Sequence, residues 1–295
     1  MTNNNNLNAN DRAADISITI PEFKHFKHRI YCRLKNYVWL FPLLTTILIP
    51  SSCLVPYWAS VKHEFLHPLL PYVSDAGSGT PGANYFSQLI DMCSLLILIT
   101  AWIRYKQIKF YLDQQIEASK KLNNTKAESK QPEEEIKNLS YINWLAMIFA
   151  SICAFGGILT GNFRMTEFLI VHMLSASLLF GFMLIYLLCM SYLTLAINRN
   201  YRYETLPISM IIISLIDIVF ILIFVLAFFL SVSHLDLNTF SDPNFRLFWP
   251  REDEGFETHC LSAMFEWIGI MIVSLFYLSL SRRMRKFKDW QSVRF

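Results

Sequence analysis

Four ionisable side chains sit inside long apolar runs of this 295-residue chain: Asp91, His172, Asp217 and Glu266. Inserting such a group into a membrane costs ~2.5–3.5 kcal/mol on translocon scales, so each needs a partner or a purpose. Asp91 and Glu266 fall about six residues, and His172 about four, from the same end of their runs. At ~1.5 Å per helical residue all three lie within ~10 Å of one interface. Asp75, Asn162 and Arg164 are placed just above them in the adjoining connections. Together Asp75, Asp91, Asn162, Arg164, His172 and Glu266 predict a polar cluster at one end of a helical bundle. Two chemistries fit it. One is structural pairing, for instance Glu266 with Arg164 or His172. The other is a grip on a ligand or lipid headgroup. A histidine between carboxylates titrates between about pH 5 and 7, which permits pH sensing in an acidic organelle. Asp217 lies deeper, about ten residues from the opposite end of its run, with no obvious partner at its level.

The elements that position these groups are six apolar runs, at about 37–57, 85–103, 141–160, 168–197, 207–232 and 260–280. A ~30 Å hydrocarbon core takes roughly 20 helical residues to cross, and each run meets or nearly meets that length. The runs are apolar all round, which argues against alternating strands. With 54% hydrophobic residues the chain departs from an ordinary globular domain. The fold class expected is therefore an all-α membrane protein, a bundle of six transmembrane helices.

Basic residues give the orientation. All but four of the 26 Lys and Arg residues precede run one, follow run six, or lie between runs two and three or four and five. The exceptions are Lys62, Arg164, Arg246 and Arg251. The positive-inside bias then places both termini in the cytosol and the polar cluster on the opposite, external side. Three regions follow: a cytosolic N-terminal tail at 1–36, a membrane domain at 37–281, and a basic cytosolic tail at 282–295. The first run is expected to act as an uncleaved anchor. The triplets Asn123-Asn124-Thr125 and Asn138-Leu139-Ser140 match the glycosylation pattern but would face the cytosol, so their sugar state tests the topology.

Other motifs carry weaker chemistry. Gly77–Gly82 precedes a helix and could present backbone N–H groups to a phosphate; a structural turn is the simpler expectation. Gly157 and Gly161 form a GxxxG expected to let helices pack closely within the chain. Arg282, Arg283, Arg285, Lys286 and Lys288 could attract anionic lipid at ~1 kcal/mol each. The acidic connection 233–258 reads as a solvated loop, and 123–135 as flexible. Cys32 is a juxtamembrane candidate for palmitoylation. The cysteines have no CxxC spacing, no zinc, serine-hydrolase or nucleic-acid motif occurs, and no cofactor or metal is expected. The expected partner is the bilayer itself, anionic lipids included, with no nucleic acid.

Pro71-Tyr72-Val73-Ser74-Asp75-Ala76-Gly77 resembles the Pro-Tyr/Phe-Ile-Ser-Asp-Thr-Gly signature of the damage-regulated autophagy modulator (DRAM) family. Further similarity lies in Arg104-Tyr105-Lys106, Gly161-Asn162-Phe163, Val171-His172, Ser262 to Trp267, and Asp289-Trp290-Gln291-Ser292-Val293. The resemblance runs from about 37 to 293. It departs from the family at Gly82, where Glu is common, and at Asp91, where Asn is common. It implies a six-span organelle protein, commonly lysosomal, that promotes autophagy as a regulator and not as an enzyme. The wider superfamily includes Golgi factors for GPI-anchor lipid remodelling and phosphoinositide regulators, which makes lipid handling in the Golgi or ER the alternative. Tyr31-Cys32-Arg33-Leu34 and Tyr203-Glu204-Thr205-Leu206 have the form of endolysosomal sorting signals.

Overall fold

A computed structural model describes residues 34–123, 131–201 and 205–295. Among them the long helices are α1 (Leu40–Lys62), α3 (Gly82–Asn123), α4 (Gln131–Asn162), α5 (Leu169–Tyr201), α6 (Ile208–Val232) and α9 (Phe256–Lys286). Short helices α2 (Val73–Ala76), α7 (Leu237–Ser241) and α8 (Pro243–Leu247) lie in the connections. The six long helices are each long and apolar enough to cross a membrane, and no strand occurs among the described residues.

The helices close into a ring. α1 packs against α3 and α9, α3 against α4, α4 against α5, and α6 against α9. The seam between α5 and α6 is the thinnest contact in the ring. Small residues set the tightest approaches. A Cβ on Gly157 would strike the Ser94 hydroxyl, and one on Gly161 would strike Ile90, so the GxxxG seats α4 directly on α3. In α1, Pro50 and Pro56 lie inside a continuous helix, and nearby hydroxyls bond back to the chain, as Thr45 does to the Phe41 carbonyl at 3.0 Å.

One end of the bundle carries the connections 63–81, 163–168 and 233–255; we call it the loop end. The opposite, tail end is more ordered than the sequence suggests. α3 continues to Asn123 and α4 starts at Gln131, so the stretch expected to be flexible is helical outside 124–130, which lie outside the described residues. The reason is an apolar stripe among the charges: Ile108, Leu112, Ile136 and Leu139 are all buried, with Ile116 packed against them. Arg104, assigned above to a cytosolic connection, is instead fully buried within α3, donating to Gln107 Oε1 at 2.7 Å and Thr194 Oγ1 at 2.9 Å. The C-terminal residues fold back onto this end. Trp290 is buried and donates to the Met284 carbonyl at 3.0 Å, and Lys35 donates to the Val293 carbonyl at 2.7 Å. Cys53, Cys93, Cys153, Cys189 and Cys260 are free thiols; Cys32 and Tyr31 lie outside the described residues, as do Tyr203 and Glu204.

Candidate functional site

The loop end is closed by a cap. Pro71–Gly77 crosses over the bundle and is fastened at each step. The Trp267 indole donates to the Pro71 carbonyl at 2.9 Å, and the Val73 N–H donates to Glu266 Oε2 at 2.9 Å. Ser60 donates to the Ala76 carbonyl at 2.7 Å. Asp75 receives the Arg246 guanidinium, both side chains being almost wholly buried. Burial pushes the Asp75 carboxyl above its ordinary range, and the adjacent guanidinium opposes that push. Arg246 lies on α8, so the ion pair ties the 233–255 connection to the signature segment.

That connection is not a solvated loop. His67 N–H donates to the Leu247 carbonyl at 3.0 Å, and Leu66, Ala76 and Leu247 form a small core. Trp249 stacks on His259 with centroids 4.3 Å apart. Asp253 accepts from the Trp249 indole at 3.0 Å, from the Gly255 N–H at 2.8 Å, and faces His234 Nε2 at 3.0 Å. Acidic residues read as a solvated face therefore include an organising one.

The six residues predicted as one cluster separate into distinct contacts. Asp75 pairs with Arg246, which sequence reasoning left unassigned. Asp91 pairs with Asn162, whose amide donates to both carboxylate oxygens at 3.0 and 3.1 Å on an exposed face between α3 and α4. Arg164 reaches Glu167 at 3.1 Å in solvent. Neither Arg164 nor His172 is the hydrogen-bond partner of Glu266. His172 Nδ1 instead shares a 2.7 Å hydrogen bond with the Phe163 carbonyl. Helix rotation decides this: side chains at one depth on neighbouring helices meet only if both face the seam, and depth was all the sequence offered.

The glycine-rich stretch leaves no phosphate cradle. A Cβ on Gly79 would enter the Phe65 ring, and one on Gly82 would strike Ser60 Oγ and come within 2.5 Å of the Ala76 carbonyl oxygen. Gly82 sits where its own backbone meets those of Ala76 and Pro56, and a side chain would not fit there. At the tail end, Arg282, Arg285, Lys286 and Lys288 are exposed, while Arg283 donates to the Thr205 and Leu206 carbonyls at 2.6 and 2.8 Å. Arg283 is thus tied to the α5–α6 connection, and Arg285 lies 5.0 Å over the Trp39 ring.

Beneath the cap lies a cavity of about 380 Å³ to which α2 and all six long helices contribute. Its walls are chiefly apolar. Glu266 and His172 line its loop end, and Asp217 lines it deeper, facing Gly269. Asp217 is fully buried and its two carboxylate oxygens have no hydrogen-bond partner in the structure. It was recognised in the sequence as an isolated acid; its place on a cavity wall requires the fold.

Residues 37–287 match the Frag1/DRAM/Sfk1/Cwh43P N-terminal domain. The chain is 22% identical over 246 residues to human DNA damage-regulated autophagy modulator protein 2, covering 83% of both chains. It is 22% identical over 253 residues to human DNA damage-regulated autophagy modulator protein 1, covering 85% of this chain and 90% of the relative. A zebrafish protein, modulator of macroautophagy TMEM150B, is 25% identical over 124 residues, 42% of this chain and 43% of its own. No solved structure matches the chain. The match over most of its length, with the cap-forming segment and all six long helices inside it, makes this chain a member of the Frag1/DRAM/Sfk1/Cwh43P family.

Proposed function

We propose that this protein is a multi-pass regulator of autophagy in the lysosomal or endosomal membrane, with both termini in the cytosol, the loop-end cap facing the lumen, and no catalytic step of its own. The observation that carries the reading is the near full-length similarity to proteins named autophagy modulators. The geometry supports it. Asp75, His172 and Glu266, the groups best suited to acid–base work at the loop end, are engaged in holding loops onto helices. The topology is supported by the distribution of basic residues, whose exposed members Arg282, Arg285, Lys286 and Lys288 cluster at the tail end, where anionic cytosolic lipid would meet them. Those four residues and Arg283 remain the proposed contacts to anionic lipid, Arg283 through its exposed edge.

A second reading, lipid handling in GPI-anchor remodelling at the Golgi or ER, is favoured by the apolar cavity. Deleting the gene and measuring both autophagic flux and GPI-anchor lipid composition separates them. Reduced flux with unchanged anchors supports regulation of autophagy. Altered anchors with unchanged flux would replace it with the second reading.

A further inference from the structure

We propose that the bundle cavity is a binding site for one bilayer-derived molecule with an apolar body and a single hydrogen-bond donor, a hydroxyl or amine, which enters between α5 and α6 and donates to Asp217. This stands on the cavity alone and does not depend on the autophagy reading.

Three observations converge. The first is size and character. About 380 Å³ lies within the ~300–1,000 Å³ typical of ligand pockets, towards the small end. It has room for one chain or one fused-ring body, and apolar walls such as Ile97, Phe224 and Val273 suit hydrocarbon.

The second is access. Ser177 and Gly181 on α5, and Val225 and Phe229 on α6, line the cavity and are also exposed on the outer face of the bundle. They sit on the thinnest seam of the ring. In a six-span bundle that outer face meets lipid, so the mouth opens sideways into hydrocarbon. A molecule already in the bilayer reaches it without crossing water.

The third is Asp217. A fully buried carboxyl lines the cavity with neither oxygen hydrogen-bonded. Buried polar groups in folded proteins are nearly always satisfied, and an intramembrane acid without a protein partner points to a functional contact. Asp217 lies eight and twelve residues along α6 from Val225 and Phe229, about 12 to 18 Å deeper than the α6 side of the mouth at ~1.5 Å per residue. A donor group reaching Asp217 would leave its apolar body along the walls and towards the portal.

Two kinds of molecule share this chemistry, a sterol and a single-chain alcohol or amine. The full-length protein, reconstituted in phosphatidylcholine nanodiscs, is exposed to trace diazirine-labelled cholesterol or diazirine-labelled hexadecanol, and to the methyl ether of each. Photolabelled peptides are then mapped. Labelling of α5, α6 and α9 by an alcohol probe is expected, with the matching ether weaker by about tenfold or more, the loss of one hydrogen bond to a carboxylate. Cholesterol labelling alone identifies a rigid occupant, and hexadecanol labelling alone a flexible one; both support the site. Asp217→Leu should reduce alcohol labelling to the level of the ether. Gly181→Trp should reduce it by blocking the mouth. That variant keeps the test decisive if Asp217→Leu misfolds, because a Cβ added at Gly181 meets nothing within 4 Å and the larger side chain starts from open space. Absence of labelling on these helices, ethers labelling as strongly as alcohols, or undiminished labelling in folded Gly181→Trp would overturn the proposal.

Discussion

Arg246 and Asp75 stand 171 positions apart and form an ion pair in which each side chain is only 1% exposed. One belongs to a short helix before the last span and the other to the segment after the first, so the pair joins these two connections across the loop end, beside the His67–Leu247 hydrogen bond. Buried pairs of this kind are weak sources of net stability but costly to break, because removing one partner strands a charge.

Replacing Arg246 alone with Met should therefore destabilise the protein by about 3–5 kcal/mol, as Asp75 is left uncompensated. Replacing both, Arg246→Met with Asp75→Leu, should recover most of that loss. Thermal unfolding of the purified protein in detergent measures both. A double variant as unstable as the single one would mean that the pair is not the closing contact.

Glu266→Ala and His172→Ala should each lower stability or function more than Asp242→Ala. The first leaves the Val73 N–H without its acceptor in a buried site, at about 1–3 kcal/mol. The second removes a side chain 2% exposed that holds the Phe163 carbonyl. Asp242 is an exposed helix cap on Asn244, worth about 1 kcal/mol. Expression level and melting temperature of the three variants rank them, and equal values would remove the loop-end contacts from the account.

Asp253 supplies a pH dependence. Its partial burial works against ionisation, but hydrogen bonds from the Trp249 indole, His234 and the Gly255 N–H outweigh it and hold the carboxyl below its ordinary value. A depressed folded-state value adds stability above the unfolded value near pH ~4, lost as pH falls through the lower folded one. Asp253→Asn should be less stable than the parent at neutral pH, and the gap should close as the pH falls through and below ~4. Melting curves of both proteins from neutral to acid check this. A gap constant with pH would show that the carboxylate charge is not what organises the connection.

Gly157→Val should separate α3 from α4, since the added carbons must displace Ser94; overpacking of this kind costs about 1–3 kcal/mol. Gly181→Val, in open space, should cost far less. Melting temperatures of the two variants make the comparison, and equal losses would argue that the GxxxG does not set the α3–α4 distance.

The six helices are legible in the sequence because a hydrocarbon core imposes a length and an apolarity that few other structures share. The start of the tail-end extension was legible in the four-residue spacing of Ile108, Leu112 and Ile116, whereas the polar residues of 123–135 read as flexible and 131–135 are helical. Arg104 is a different case. Its charge reads as a cytosolic anchor, and its burial rests on acceptors that include Gln107 one turn away and Thr194, 90 positions away. The same holds for Arg246, one of two cations in an acidic loop, whose partner no local pattern names. Asp217 was visible as an isolated intramembrane acid; that it faces a cavity depends on the angle of α6 about its own axis, which a run of Ile, Leu, Val and Phe on every side does not encode.

We propose a lysosomal or endosomal protein whose tails face the cytosol and whose Asp75–Arg246 cap faces the lumen. An endogenous C-terminal tag, followed through organelle fractionation and protease treatment of intact vesicles, tests it most directly. The account predicts a tag that co-fractionates with lysosomes or endosomes and is digested from outside without detergent. A tag confined to Golgi or ER fractions, or protected until detergent is added, would contradict it.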